Sequence, residues 1–207
     1  MEYRQQTKEI YNEIAKDFNT SRVRIWPCVK KFLDSFQSNL KLLDVGCGNG
    51  KNMLYRNDLI FKGIDFSNKL VDICKNKKLD VIEVSMTQLP FEENYFDGII
   101  VIASYHHLSN DDERKQTLDE LYRVIKYGST ILIVVWAMEQ PEDSNFHFTK
   151  SDELVKWKSI DKNKIFYRYY HIYSKGKLEE EIKRLKPEFY IEYEYWEKGN
   201  WVICLKK

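Results

Sequence analysis

The sequence predicts a doubly wound α/β fold, and three observations carry that prediction. Five apolar runs alternate with amphipathic stretches, the pattern of parallel strands joined by crossover helices. The first run, Leu42-Leu43-Asp44-Val45, stops in Gly46-Cys47-Gly48-Asn49-Gly50-Lys51, where alternate glycines let the backbone turn tightly beside a ligand. The second run, Ile60 to Ile64, ends in the acid Asp65, whose carboxylate can accept both hydroxyl hydrogens of a ribose. In such sheets ligands lie beyond the carboxyl ends of the strands, so the loops after Val45, Ile64, Val84, Ala103 and Val135 are expected to converge on one site.

Taken in order, Glu2 to Phe18 places Ile10, Ile14 and Phe18 on one stripe, which predicts an amphipathic helix. Asn19-Thr20-Ser21 breaks it, and after Arg22-Val23-Arg24-Ile25-Trp26-Pro27 a second helix is expected through Val29, Phe32, Leu33 and Phe36. Strand one follows, then the glycine loop, then a helix expected to point free N–H groups into the turn. Strand two ends at Asp65, a helix spans Asn68 to Lys77, and a short strand runs from Asp80 or Val81 to Val84. Phe96 to Ala103 is apolar on both faces, as a buried parallel strand must be. Ser109 with Asp111 and Asp112 opens a helix through Ile125, Gly128 stops it, and Ile131 to Ala137 is the next strand. Glu139 to Lys164 is polar and reads as loop plus a short helix. An aromatic segment, Ile165 to Tyr173, precedes a helix at Lys177 to Leu185 and two strands, Phe189 to Trp196 and Trp201 to Leu205, forming an antiparallel hairpin around Gly199-Asn200.

A length of 207 residues suits one domain. Its parts are an N-terminal helical cap (1–38), a cofactor-binding core (39–137) and a substrate-side segment with the C-terminal helix and strands (138–207). A net charge of +1 announces no polyanionic partner, so nucleic acid is neither favoured nor excluded. Cys28, Cys47, Cys74 and Cys204 show no paired spacing, which suggests neither zinc site nor disulfide framework. Reduced thiols, no signal-like leader and no apolar run of membrane-spanning length lead to the expectation of a soluble cytoplasmic protein.

The glycine spacing is Gly-x-Gly-x-Gly after an acid, whereas the dinucleotide fingerprint sets its third glycine one residue further on. This form is similar to motif I of class I methyltransferases that use S-adenosylmethionine. Further residues sharpen the resemblance: Tyr11-Asn12-Glu13-Ile14-Ala15, Ser21-Arg22 with Trp26-Pro27, Ile102-Ala103 with His106-His107, Trp136-Ala137 with Glu139-Gln140, and Tyr167 to His171. In order along almost the whole chain, they resemble the eukaryotic tRNA wobble-uridine carboxymethyl methyltransferases, which turn a 5-carboxymethyl group into its methyl ester. The resemblance implies a Rossmann-like, mostly parallel sheet with S-adenosylmethionine held by Asp44, Gly46, Gly48, Gly50, Asp65, Ser85, Met86 and Ala103. It also implies the tRNA anticodon arm as substrate, and a heterodimer with a small zinc-binding activator protein that pairs at the edge strand Asp80–Val84. Chain alone is then expected to be poorly soluble. Ser85 stands where the family has an Asp near the adenine, so that contact passes to a backbone N–H at Met86 or is weaker. Lys156-Trp157 stands where the family reads Pro-Trp, and the long basic insertion of fungal relatives is absent.

A carboxylate acceptor is ionised at neutral pH and needs no general base. Catalysis then consists of aligning one oxygen with the methyl donor and stripping its water. Arginine is the natural clamp, because its fork pairs with a carboxylate. Arg22, at the family's arginine position, is the first candidate, ahead of Arg24 and Arg168; the alternative for Arg22 is a surface ion pair. Of His106 and His107, one is expected to orient the substrate and the other to be structural. Trp136 and Tyr170, with Trp26 and Tyr169, are candidates to stack on a wobble base, against the alternative of plain core. Lys75 to Lys78 and Lys183-Arg184 with Lys186 either touch phosphates or are solvated helix faces. Two other functions remain open at this level: methylation of a small acid or phenol, and a cofactor-binding scaffold without turnover.

Overall fold

The computed structural model describes residues 2–159 and 163–207. Five runs form β1 (Lys41–Val45), β2 (Ile60–Asp65), β3 (Val81–Glu83), β4 (Phe96–Ile102) and β5 (Ile125–Trp136). A separate antiparallel hairpin follows, β6 (Asp152–Lys158) and β7 (Ile165–His171), and the chain closes with β8 (Tyr190–Glu197) and β9 (Asn200–Lys206). The main sheet runs β3-β2-β1-β4-β5-β9-β8, parallel through β5 and antiparallel at β9 and β8. The helices are α1 (Glu2–Ser21), α2 (Pro27–Asp34), α3 (Asn68–Asn76), α4 (Asp111–Val124) and α5 (Lys177–Leu185).

Alternate residues of each central strand serve opposite faces. Leu43, Val45, Ile99, Val101, Ile131, Ile133 and Ile203 bury one face beneath Leu118 and Leu121 of α4 and Leu178 and Ile182 of α5. Leu42, Ile100, Ile102, Leu132, Val134 and Val202 bury the other against Val29, Phe32 and Leu33 of α2. Both faces being covered explains why these strands read as unbroken apolar runs. The α4–α5 side is pinned by Glu181, which accepts from the hydroxyls of Tyr105 (3.1 Å) and Tyr173 (2.9 Å) and pairs with Arg114 at 3.0 Å.

Four local expectations are corrected. Residues 46–59 form turns with no helix; only nine residues separate Gly50 from β2, and Asn52, Arg56, Asn57 and Asp58 leave no apolar stripe for one. The cap of α4 is Asn110, whose side chain accepts from Glu113 N at 2.9 Å, not Ser109. Ile125 does not end α4 but opens β5 opposite Phe96, and Gly128, with φ of 76°, lies in that strand where its pairing with β4 shifts register. Glu139 to Lys164 holds strand β6 where a short helix was expected; its residues 160–162 lie outside the described ones. The alternation there, with Leu154, Lys156 and Lys158 exposed and Val155 buried, is a strand's period of two, masked in sequence by lysines on the outer face. The C-terminal hairpin forms as expected, turning at Lys198-Gly199, one residue earlier, with both φ values positive (48° and 78°).

The segment that positions the site is α1. It lies between α3 and the β6–β7 hairpin, burying Ile10, Tyr11, Ile14 and Ala15 against Leu70, with Phe18, Trp157 and Phe166 alongside. Polar ties hold it there: Ser67 Oγ donates to Asn12 (2.7 Å), Ser159 Oγ to Asp17 (2.7 Å), and Lys8 pairs with Glu83 (2.7 Å).

Candidate active site

A cavity of about 460 Å³ opens at the carboxyl ends of the parallel strands, a volume in the range of small-molecule and cofactor sites. All five strand-end loops reach it, through Gly46, Asp65, Ser85, Ala103 and Trp136. Phe18, Arg22 and Tyr11 of the α1 segment and Arg168 and Tyr170 of β7 enclose it from the other side.

The glycine loop is shaped by what it must avoid. Gly46 has φ of 71°, and a Cβ there would fall 2.4 Å from Ser104 Cβ; at Gly50, φ is 74° and a Cβ would meet Leu79 Cδ1 at 2.3 Å. Both positions therefore exclude side chains on conformation and on space. Gly46 N and Cys47 N donate to Ile64 O, Gly50 N donates to Cys47 O, and Gly48 N donates to Asp65 Oδ2, all at 2.9 Å. With those groups turned inward and no helix N-terminus behind them, the loop suits a ligand without phosphates.

Asp65 is only 5% exposed, and burial pushes its carboxyl up to about 6. Its two oxygens accept from Gly48 N and Ser67 N (both 2.9 Å), and since a carboxylate has about four acceptor positions, capacity remains for two ribose hydroxyls. Asp44 is fully buried beneath the loop rather than in the cavity wall. One of its oxygens has no partner among the described residues, and burial raises it to about 7. A buried acid short of partners gains from a cation nearby, which fits the ammonium and sulfonium of S-adenosylmethionine. Gly50 also sits below the wall, whereas Gly46, Gly48, Ser85, Met86 and Ala103 line it. The Ser85 hydroxyl is occupied locally by Thr87 at 2.8 Å. Ala103 has φ of 52°, uncommon for a residue with a side chain, at the bend where β4 meets the cavity.

On the acceptor side the structure divides the two histidines. His107 lines the cavity, and His106 lies fully buried behind it. His107 Nδ1 faces the carbonyl of Tyr169 at 2.8 Å; a carbonyl only accepts, so Nδ1 carries the proton. Its Nε2 therefore accepts from the Tyr11 hydroxyl at 2.8 Å, and that oxygen in turn accepts from Arg168 Nη1 at 3.0 Å. Burial holds His107 near 3, so it stays neutral at physiological pH. His106 Nδ1 accepts from Trp136 N at 3.2 Å, and its Nε2 has no partner among the described residues. Neither ring nitrogen of His107 is left over for a substrate, so its visible work is to orient Tyr11 and through it Arg168. Trp136 and Tyr170 line the cavity with rings 4.7 Å apart, backed by His106 and Phe148.

Arg22 lines the cavity as expected, its guanidinium 5.0 Å from the Trp157 ring centroid and 5.9 Å from that of Phe18. Burial and the Arg168 charge lower its pKa. Arg168 is only 3% exposed, stacked on Trp157 (4.8 Å), Tyr170 (5.1 Å) and Tyr11 (5.6 Å). Neither arginine makes an ion pair with a carboxylate among the described residues. Sequence reasoning ranked Arg168 low and did not place Tyr11 or Trp157 in the site. The available signals were Tyr11 and Phe18 seven residues apart on one helical face, and the pairing of a polar-looking strand with the aromatic segment.

Several members of the basic clusters are paired within the chain. Lys77 Nζ donates to Asn19 Oδ1 and Asn49 O (both 2.8 Å), while Lys183, Arg184 and Lys186 pair with Glu179, Asp111 and Asp119. The four cysteines are buried and unlinked, and no group of metal-ligating side chains occurs among the described residues. No helix among them is long and apolar enough to cross a membrane. β3 ends the sheet, paired only to β2, with Ile82 36% exposed.

Residues 43–133 match the methyltransferase domain family. Solved structures share the fold: the 1,6-didemethyltoxoflavin-N1-methyltransferase of Burkholderia thailandensis superposes with a TM-score of 0.72 at 14% identity, covering 100% of this chain and 89% of that one. The methyltransferase seen in complex with the Trm112 methyltransferase activator of Haloferax volcanii does so at 0.70 and 15%, covering 97% and 96%. The fold is that of class I S-adenosylmethionine-dependent methyltransferases. The tRNA (carboxymethyluridine(34)-5-O)-methyltransferase of Arabidopsis thaliana is 42% identical over 135 residues, covering 65% of this chain and 33% of that protein. A Xenopus tropicalis protein of the same activity name is 29% identical, covering 99% of this chain and 41% of its own length. The chain thus spans less than half the length of those two relatives. The Schizosaccharomyces pombe enzyme with that name is 32% identical over 220 residues, covering 96% of this chain and 95% of that protein. With identity of that level carried along nearly the full length of both proteins, this chain belongs to the tRNA (carboxymethyluridine(34)-5-O)-methyltransferase family.

Proposed function

We propose that the chain binds S-adenosylmethionine and methylates the carboxylate of 5-carboxymethyluridine at the wobble position of tRNA, giving the methyl ester. The observation that carries this reading is the pair of arginines, Arg22 and Arg168, facing one cavity with no carboxylate partner among the described residues. Arg168, only 3% exposed, is a buried cation without a counter-charge, which is costly, and an anionic ligand repays that cost.

The cofactor, when bound, supplies a methyl group on a sulfonium. Asp65 offers acceptors for ribose hydroxyls, Ser85 and Met86 border the base side, and the glycine loop brings backbone close without side chains. The acceptor oxygen is already ionised, so no residue takes a proton. One guanidinium orients the carboxylate by paired hydrogen bonds, and the aromatic walls of Trp136, Tyr170 and Phe18 exclude the water that would otherwise blunt it. Trp136 and Tyr170 also present planes on which an unstacked base can lie. A small zinc-binding activator pairing at the β3 edge completes the proposed cytoplasmic enzyme. What supports it is that edge itself, with Ile82 outward, and the fold shared with a methyltransferase seen beside the Trm112 activator.

The test is transfer of labelled methyl from S-adenosylmethionine to tRNA lacking the wobble ester, with the activator co-expressed. Label that enters RNA and is released by mild alkali, as an ester is, supports the reading. Tight cofactor binding with no transfer to RNA overturns it, and transfer to small carboxylic acids instead identifies the competing acceptor.

A further inference from the structure

We propose that the two arginines serve two different carboxylates: Arg22 holds the α-carboxylate of S-adenosylmethionine, and Arg168 holds the carboxylate to be methylated. The division rests on the carboxylate-methylating reading above.

Arg22 is built onto the cofactor loop. Asn49, between two glycines of that loop, donates from Nδ2 to the carbonyls of Arg22 (3.0 Å) and Asn19 (3.2 Å). Lys77 joins the same two segments through Asn49 O and Asn19 Oδ1, so the last turn of α1 and the glycine loop are one unit. The Arg22 guanidinium lies over Phe18, whose ring edge would stand 3.0 Å from a Cβ on Gly48. Lys51, on the same loop, lines the same end of the cavity, and the Arg22 charge adds to burial in lowering its pKa. Cations gathered at the loop create an anion position next to the cofactor.

Arg168 belongs to the opposite wall. It comes from β7, donates to Tyr11, and Tyr11 is fixed by His107 just beyond the end of β4. It also stacks on Tyr170, the neighbour of Trp136. These are the residues that face an acceptor. The indole of Trp157 takes both guanidiniums, at 5.0 and 4.8 Å from its centroid.

Charge and reactivity favour one arginine for each carboxylate. Two guanidiniums held over one indole, 5.0 and 4.8 Å from its centroid, repel each other until each meets an anion. If both forks gripped the acceptor, every lone pair of its carboxylate would be engaged and its nucleophilicity lost. One monoanion on each balances the charge and leaves an acceptor oxygen free.

The experiment is calorimetric titration of the activator-bound protein with S-adenosylmethionine and with decarboxylated S-adenosylmethionine, which lacks only the α-carboxylate. Wild type should prefer the intact cofactor by roughly 10- to 100-fold, the worth of a charged bidentate contact. In Arg22→Ala that preference should collapse to within about threefold, while in Arg168→Ala it should persist. Arg22→Lys, which keeps charge without the fork, should fall between, and serves if the alanine variant does not fold. Preference retained in Arg22→Ala and Arg22→Lys, absent in wild type, or lost in Arg168→Ala overturns the division. These binding results do not depend on the acceptor: failure of wild type to methylate tRNA would sink the function proposed above, and loss of the cofactor preference pattern would sink this division alone.

Discussion

Replacing Tyr11 by Phe removes a single oxygen that links α1, β7 and the turn after β4. That oxygen accepts from Arg168 Nη1 at 3.0 Å and gives its hydrogen to His107 Nε2 at 2.8 Å. Phenylalanine leaves the packing intact and orphans both partners, one a guanidinium only 3% exposed. A hydrogen bond to a charged group contributes about 1.5–3 kcal/mol, and an orphaned buried acceptor costs about 1–3 kcal/mol. Water entering from the cavity recovers part of this, so the expected loss is ~2–4 kcal/mol, or ~5–15 °C in Tm for a chain of this size. Thermal melts of Tyr11→Phe, His107→Phe and the double variant give the assay. The double variant should lose less than the sum of the singles, by about 1–2 kcal/mol, because its second change removes a group already orphaned. Methyl transfer should fall by about 10-fold or more as Arg168 loses its anchor, with cofactor affinity nearly unchanged. A Tm shift under about 2 °C, or strict additivity, would refute the linkage.

Cofactor affinity should weaken as pH falls through about 6, where Asp65 takes a proton and one oxygen ceases to accept from ribose; in Asp65→Asn the affinity should be lower and this pH dependence gone, as titrations at pH 5 to 8 would show. Asp44, raised to about 7, holds in the folded chain a proton that the unfolded chain has released. Its contribution to stability is thus fully present below the ordinary carboxylate range and is lost as pH rises through about 7. Asp44→Asn should therefore flatten the fall in ligand-free stability between pH 5 and 8, worth on the order of 2–3 kcal/mol by linkage, and an unchanged slope in denaturant titrations would contradict it. Gly46→Ala should cost ~2–5 kcal/mol, from a left-handed backbone and a Cβ placed on Ser104, and abolish cofactor binding at micromolar concentrations; near-wild-type binding by calorimetry would show that the loop has another conformation. Glu83→Pro, which removes an N–H of β3 that points away from β2, should abolish co-purification with the activator while leaving cofactor affinity within about threefold, and a stable complex would place the partner elsewhere.

What the sequence determined by itself is whatever depends on neighbours along the chain. The glycine loop is legible because positive φ at Gly46 and Gly50 demands residues without side chains, and Asp65 because it ends a strand beside that loop. The double-sided apolar runs and the convergence of five loops follow from the rules of parallel sheets, whose strands are covered on both faces, and the closing hairpin from its turn residues. Tertiary structure decided what depends on residues distant in sequence. Strand β6 exists because β7 pairs with it, against a composition that suggested loop and helix. The choice between His106 and His107 turned on which ring met Tyr11 and which met a backbone N–H of β5. Arg168 took its place in the cavity through a contact with a residue 157 positions away. No local pattern encodes such a contact, because its energy comes from burying a charge among rings that only the folded chain brings together.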